Sequence, residues 1–270
     1  MAGNLKAAEL RRLLAKGEFI LAPGIFDGIS ARVADRMGFP ALYMTGYGAT
    51  ASMLGLPDAG LATYSDMVGR AEMICSVAET PLIADADTGY GGLLNVQRTV
   101  RGYEAAGVAA IQIEDQEMPK KCGHTPGRRV VPAEDMVLKI RVAAEARRHP
   151  ETMIVARTDA RTALGLDEAL RRARLYEEAG ADVIFVESPE RGRARAHWPG
   201  GEQAAACQHG RVRQDAPGRG GPPQDMGLRH RDLPRFGLQR GCRGHAPGLG
   251  ASQGQGHQHR HERAAIQWHA

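Results

Sequence analysis

Long apolar runs, disulfide-type cysteine spacing and, over the last third of the chain, most core-forming residues are missing. No run of 18 apolar residues occurs in the 270 residues, so no transmembrane helix is expected and no membrane partner. Residues 1–17 carry Leu5, Leu10, Leu13 and Leu14 at helical spacing without a continuous apolar stretch. They read as an amphipathic helix and not as a signal peptide. The four cysteines have no framework spacing, which points to free thiols in a reducing cytoplasm. Lysine is absent after residue 190, where only seven Leu, Ile, Val or Phe stand beside 15 Gly, 13 Arg, 9 Gln and 8 His. Such a segment cannot bury enough apolar surface to offset its ordering entropy.

What is present divides accordingly. The net charge of +4 hides a balance of +8 in residues 191–270 and of −4 in residues 1–190. The mildly acidic body gives no reason to expect a nucleic-acid partner. Within that body, apolar strand candidates at Phe19–Ala22, Ala41–Thr45, Pro81–Asp85, Ala110–Glu114, Met153–Arg157 and Val183–Glu187 alternate with helical patterns at Leu94–Ala106, Ala133–Arg148 and Leu166–Ala179. This alternation predicts βαβ units and a parallel sheet. Most of the strands end in a polar or charged residue, as in a barrel whose site lies at the strand C-termini. The expected division is a body over 1–190 and an irregular Arg/Gly/His-rich tail over 191–270.

Several clusters carry chemistry. Asp85 and Asp87 flank Ala86 at a strand end, and residues i and i+2 of an extended chain point the same way. Two hard carboxylates so placed suit Mg2+, which keeps several waters; capping of the following Gly-rich loop is the other use for them. Glu114 and Asp115 end the next strand, and only one of the two can face the mouth. Cys122 lies in a loop with Lys120, Lys121 and His124, where nearby cations favour thiolate. Cys75, in an apolar helical stretch, reads as core. Thr45, Gly46, Tyr47 and Gly48 follow the second strand as a loop whose free N–H groups can cradle a carboxylate. Tyr43 points into the barrel by alternation, as a core residue or a reactive one. Arg157 ends a strand with a fork suited to a substrate carboxylate, and Glu187 ends the next. Either can equally belong to a structural ion pair.

In order and spacing, Ala84-Asp85-Ala86-Asp87-Thr88-Gly89-Tyr90-Gly91-Gly92, Ile113-Glu114-Asp115-Gln116 and Lys120-Lys121-Cys122-Gly123-His124 resemble the isocitrate lyase/phosphoenolpyruvate mutase superfamily. The resemblance spans about residues 5 to 190 and is closest to the 2-methylisocitrate lyase-like carbon–carbon lyases. It implies a (β/α)8 TIM-type barrel, of which this chain has about six βα units before the pattern stops. It also implies a lyase that cuts a small 2-hydroxy di- or tricarboxylate into an α-keto acid and a second carboxylate, with Mg2+ or Mn2+ as cofactor. By the same resemblance Asp87 is the direct metal ligand, with Asp85, Asp58 and Glu114 acting through metal-bound water. Cys122 is the acid that protonates the enolate, Tyr43 a proton carrier, and Lys120 and His124 complete the catalytic loop. Thr45, Gly46, Tyr47, Gly123, Arg157 and Glu187 hold the substrate. The family's assembly is a homotetramer with swapped helices. Phosphonomutases of the type of carboxyvinyl-carboxyphosphonate phosphorylmutase are the alternative within the fold, and an inactive product of a lyase gene is the alternative outside enzymology.

The tail reads as a shifted frame. Residues 207–211 can be encoded as TGC CAA CAT GGT CGA, and one base later the same DNA gives Ala-Asn-Met-Val-Glu, a stretch of the family. Further on, residues 225–238 permit a strand and 237–255 a helix in that frame. A basic nucleic-acid-binding tail and a His-rich metal tract are the competing readings.

Overall fold

Six short runs of buried apolar residues become the strands of one sheet, and the first five are each followed by helix. The computed structural model describes residues 4–16, 20–123, 125–187, 204–209 and 265–269, all within one compact unit, Met1–Val212 with Ala265–Ala270. In chain order the elements are α1 Leu5–Ala15, β1 Ile20–Ile25, α2 Gly28–Arg36, β2 Leu42–Met44, α3 Gly46–Leu54, α4 Tyr64–Val77, β3 Leu82–Asp85, α5 Leu93–Ala105 and β4 Ala110–Glu114. There follow α6 Ala133–Ala146, β5 Met153–Thr158, α7 Ala160–Leu164, α8 Leu166–Glu178 and β6 Val183–Val186. No helix among the described residues is long and apolar enough to cross a membrane.

Strands β1 to β6 pair in sequence order and all in parallel, which is the incomplete TIM-type barrel expected of six βα units. Helix starts follow local chemistry. Asp27 and Ser30 form a reciprocal capping box on α2, as Thr63 and Asp66 do on α4, each satisfying two N–H groups that a helix start leaves without partners. Gly55 ends α3 in the left-handed conformation at φ 65°.

Two buried clusters divide the sheet's faces. Leu42, Met44, Ala84, Ile111, Ile113, Ile154, Ala156 and Ile184 pack outward against helices. Tyr43, Ile83, Ala110, Met153, Val155, Val183 and Phe185 pack inside the curl with Ala7, Leu10 and Leu14 of α1. Helix α1 therefore floors the strand N-termini. Asn4 Nδ2 donates to the Val108 carbonyl, and Arg11 reaches the Glu151 carbonyl and Asp182. Leu10 is 1% exposed, and its truncation to Ala costs about 2–5 kcal/mol.

Two stretches of the tail are described. Ala204–His209 (β7) lies parallel to β6, and Ala265–His269 (β8) runs antiparallel to both β7 and β1, closing the ring. Open edges of β6 and β1 present rows of unpaired N–H and C=O groups that accept any extended segment. The antiparallel β8 is backbone pairing and not an eighth βα unit. The rest of the tail lies outside the described residues, as does His124.

Candidate active site

Alternation along the strands decides which residues reach the barrel mouth. Ile83, Ala110, Met153, Val155, Val183 and Phe185 are interior, so Asp85, Gln112, Glu114, Arg157 and Glu187, two or four residues further on, share that face. Register stacks them: Asp85 opposes Gln112, and Glu114 opposes Arg157. The interior is thus apolar at the α1 end and charged at the strand C-termini. Tyr43 sits between the two zones at 5% exposure. Burial, then Asp85, holds its phenol well above its ordinary pKa, so it is a neutral donor.

The segment from Glu114 to Val131 folds back over this mouth. Gln116 pairs with Val130, and its amide donates to the Lys121 carbonyl at 2.9 Å while accepting from the Lys121 N–H at 3.0 Å. That hold delivers Lys120 inward. Its ammonium, 2% exposed, lies 2.6 Å from Asp58 Oδ1 and 2.5 Å from Asp87 Oδ1. The Asp87 contact has the geometry of an ion pair and not of an aligned hydrogen bond. Cys122 is half-buried and reduced. Gly123 presses on the opposite wall, where a Cβ would collide with the Arg157 guanidinium and the Glu187 carboxylate. Only glycine lets this loop tip close so far.

The segment Thr45–Gly48, expected as a loop, is instead the start of α3. Thr45 caps it, its Oγ1 accepting from Gly48 N–H at 2.7 Å. The small residues Gly46, Gly48 and Ala49 let that helix end approach the sheet, and a Cβ on Gly46 would lie 2.6 Å from Asp85 Oδ2. Gly46 N–H donates to that oxygen at 3.2 Å. A helix N-terminus supplies the N–H groups for which the loop was invoked, with a dipole favouring anions.

Charge in the mouth does not balance among the described residues. Asp58, Asp85, Asp87, Glu114, Asp159 and Glu187 face only three cations, Lys120, Arg128 and Arg157. Burial pushes the Asp87 carboxyl up to about 6 against the pull of Lys120, with Asp85 and Asp58 adding to the rise. Burial likewise raises Glu114 well above the usual carboxylate range. Burial would lower Lys120, but Glu114, Asp87, Asp85 and Asp58 outweigh it and hold the ammonium well above its ordinary value. Glu114 Oε1 is buried with no hydrogen-bond partner among the described residues. Hard oxygens, excess negative charge and an orphaned carboxylate oxygen fit a divalent cation. No three His, Cys, Asp or Glu among the described residues are grouped to ring an ion; a cation that takes one or two carboxylates and keeps its waters needs no such ring.

Arg157 is more occupied than its sequence position suggests. Its Nε and Nη2 each donate to Asp159 at 3.0 Å, with Glu114 3.4 Å and Glu187 3.3 Å away. Arg128, from the folded-back loop, adds a second guanidinium to Asp159 at 2.5 Å. Asp115 turns away, as alternation demands. It accepts from Thr158, Tyr176, Arg172 and the Asp159 N–H and is fully buried. Asp159, Arg128 and Gln112 were not singled out by sequence reasoning. Asp159 had a signal, standing at i+2 from Arg157, whereas Arg128 in a surface-like Pro-Gly-Arg-Arg stretch had none.

The family model described as phosphoenolpyruvate phosphomutase matches residues 10–196. The chain is 58% identical over 184 residues to 2,3-dimethylmalate lyase of Eubacterium barkeri, covering 68% of this chain and 64% of that protein. It is 52% identical over 179 residues to 2-methylisocitrate lyase of Aeropyrum pernix, covering 66% and 57%. Among solved structures, a trigonal crystal form of 2,3-dimethylmalate lyase superposes with TM-score 0.69 at 46% identity, over 72% of this chain and 66% of that one. Phosphonopyruvate hydrolase in complex with oxalate and Mg2+ superposes with TM-score 0.63 at 36% identity, over 68% and 64%. The chain thus spans less than two thirds of the length of the two curated relatives.

Proposed function

The chain belongs to the phosphoenolpyruvate mutase/isocitrate lyase superfamily, and from that premise we propose that its body is a carbon–carbon lyase for a 2-hydroxy di- or tricarboxylate of the dimethylmalate or methylisocitrate kind. The observation that carries this reading is the loop Lys120–Gly123 folded over the mouth: Lys120 pairs with Asp58 and Asp87, Gly123 lies against Arg157, and the half-buried Cys122 stands between them in the chain. Phosphonate chemistry needs no such thiol acid.

Asp87, with Asp85, Asp58 and Glu114 through water, would hold Mg2+ or Mn2+. The ion supplies Lewis-acid stabilisation of negative charge on the substrate oxygen. The chain's residues do the rest. The α3 N-terminus at Thr45, Gly46 and Tyr47 binds the keto-acid end. Arg157, set by Asp159 and Glu187, takes a further carboxylate. As the hydroxyl loses its proton and becomes the keto group, the C–C electron pair passes to the second product. Cys122 gives that carbon its proton, and Tyr43, Lys120 and His124 serve the proton path. Loop closure by Gly123 keeps bulk water from the carbanion.

The two described cysteines, Cys75 and Cys122, are reduced thiols, which supports a cytoplasmic site of action. The assembly implied by the resemblance is a homotetramer. We further propose that residues 191–270 come from a shifted frame. The family match stops at residue 196, and β8 closes the sheet in the wrong direction for a βα unit. Resequencing the gene around codon 190 tests this.

A second reading, P–C bond chemistry, has the likeness to phosphonopyruvate hydrolase in its favour. The deciding experiment offers the chain 2,3-dimethylmalate, 2-methylisocitrate and phosphonopyruvate with Mg2+, each with and without EDTA. Keto acid from a hydroxy acid, abolished by EDTA, supports the lyase. Turnover of phosphonopyruvate alone overturns it.

A further inference from the structure

The segment Asp85–Gly89 has an unusual property: all five of its carbonyls are taken. Ala86 and Asp87 carbonyls accept from the N–H groups of Gly89 and Glu114, at 2.9 and 2.8 Å. The other three are taken by side chains of the helices behind the strand. Tyr103 OH donates to the Asp85 carbonyl at 3.1 Å, and Lys139 Nζ to that of Thr88 at 2.8 Å. Thr99 Oγ1 donates to that of Gly89 at 3.2 Å. The turn they hold is costly. Asp87 sits at φ 48° and Tyr90 at φ 58°, left-handed conformations that cost a non-glycine residue on the order of 1–3 kcal/mol and persist only where surroundings enforce them.

That conformation has one evident effect. With every carbonyl directed to a donor, the segment faces the mouth with its carboxylates. Asp85 Oδ1 accepts the Asp87 N–H at 3.0 Å, which fixes the two side chains relative to each other. Tyr103 has a single proton, and it goes to Asp85. In its 2.9 Å contact with Tyr90 OH, Tyr90 is therefore the donor. Tyr90 braces Tyr103 but touches no carbonyl itself.

We propose that Tyr103 and Thr99, with Lys139, are positioning residues for the divalent cation, holding Asp85–Gly89 in the left-handed turn that aims the Asp85 and Asp87 carboxylates at it. The inference rests on the metal reading of the site. It makes a discriminating statement about two neighbouring tyrosines joined by one hydrogen bond: removing the Tyr103 hydroxyl frees the Asp85 carbonyl, whereas removing the Tyr90 hydroxyl does not.

The test is Mn2+ binding to the full chain, read by electron paramagnetic resonance, with melting temperature measured alongside. Tyr103→Phe and Thr99→Val should each weaken Mn2+ by about 10-fold or more, the range found when groups orienting metal ligands are lost. Tyr90→Phe should weaken it by less than about 3-fold. Thr99→Val is nearly isosteric and guards against loss of fold in Tyr103→Phe. Unchanged Mn2+ affinity in Tyr103→Phe and Thr99→Val, whatever their melting temperatures, overturns the inference, as does an equal loss in the two tyrosine variants. Absence of Mn2+ binding by the unsubstituted chain is a different failure, and it removes the metal reading together with this one.

Discussion

Asp159→Asn is the perturbation whose size the structure fixes best. Asp159 is fully buried and accepts three guanidinium hydrogen bonds, two from Arg157 and one from Arg128. An amide with its oxygen in the place of Oδ1 still accepts from Arg128 and from Arg157 Nη2, but it turns an NH2 toward Arg157 Nε, so that bond is lost and the negative charge with it. Hydrogen bonds to charged groups contribute about 1.5–3 kcal/mol each. Losing one costs about 1.5–3 kcal/mol, and removing the carboxylate charge beside two buried guanidinium groups brings the total toward the 3–5 kcal/mol typical of breaking a buried ion pair. For a domain of this size that lowers the melting temperature by roughly 10 °C. The assay is urea unfolding followed by circular dichroism at pH 7, with an unchanged m-value to show that the variant unfolds from the same state. The pH dependence follows too. Burial raises the Asp159 carboxyl, but Arg157 and Arg128 outweigh it and hold it below the ordinary range. A depressed folded pKa gives stability that is fully present above the unfolded value of about 3.9 and is lost as pH falls through the folded one. The difference between wild type and variant should therefore be constant from pH 5 to 8 and shrink only below about 4. A difference under 1 kcal/mol at pH 7 would refute the reasoning.

Gly123→Ala should cut kcat/KM by about 100-fold, because the loop tip or Arg157 must retreat by on the order of 1 Å, while the melting point moves little; turnover within 3-fold of wild type contradicts it. The Cys75 thiol is pushed up to about 11 by burial, so iodoacetamide at pH 8 should label Cys122 well before Cys75, as read by peptide mass spectrometry. Labelling in the reverse order would show that the two environments have been exchanged. Asp87→Ala should remove most Mg2+-dependent turnover, and full activity of that variant, or of wild type in excess EDTA, rules out its role.

The six strands were legible because each is a short apolar run, most of them ending in a polar residue, and helices α5, α6 and α8 fall within two residues of their expected bounds. Period-2 alternation required that only one of Glu114 and Asp115 face the mouth, and the family resemblance chose Glu114. The helix at Gly46 was hidden because two glycines lower helix propensity; tertiary packing against Asp85 overrides that. The Asp159 clamp on Arg157 was hidden for a different reason. It depends on Arg128 arriving from a loop 31 residues earlier in the chain, and spacing along the chain does not encode where a folded-back loop lands. The Tyr103 contact with the Asp85 carbonyl was likewise invisible, since tyrosine on an apolar helix face reads as core. The strands β7 and β8 lie in a segment whose composition argues against a core, and backbone pairing to open edges has no side-chain signature.

The most direct test of the lyase account is α-keto acid release by the Cys122→Ser chain beside the unsubstituted one, with Mg2+ and 2,3-dimethylmalate or 2-methylisocitrate. If Cys122 protonates the carbanion, kcat should fall by about 10²–10⁴-fold with unchanged melting temperature, and Cys75→Ser should leave turnover within a few-fold. Equal keto acid release by the Cys122→Ser and unsubstituted chains on both substrates would contradict the account.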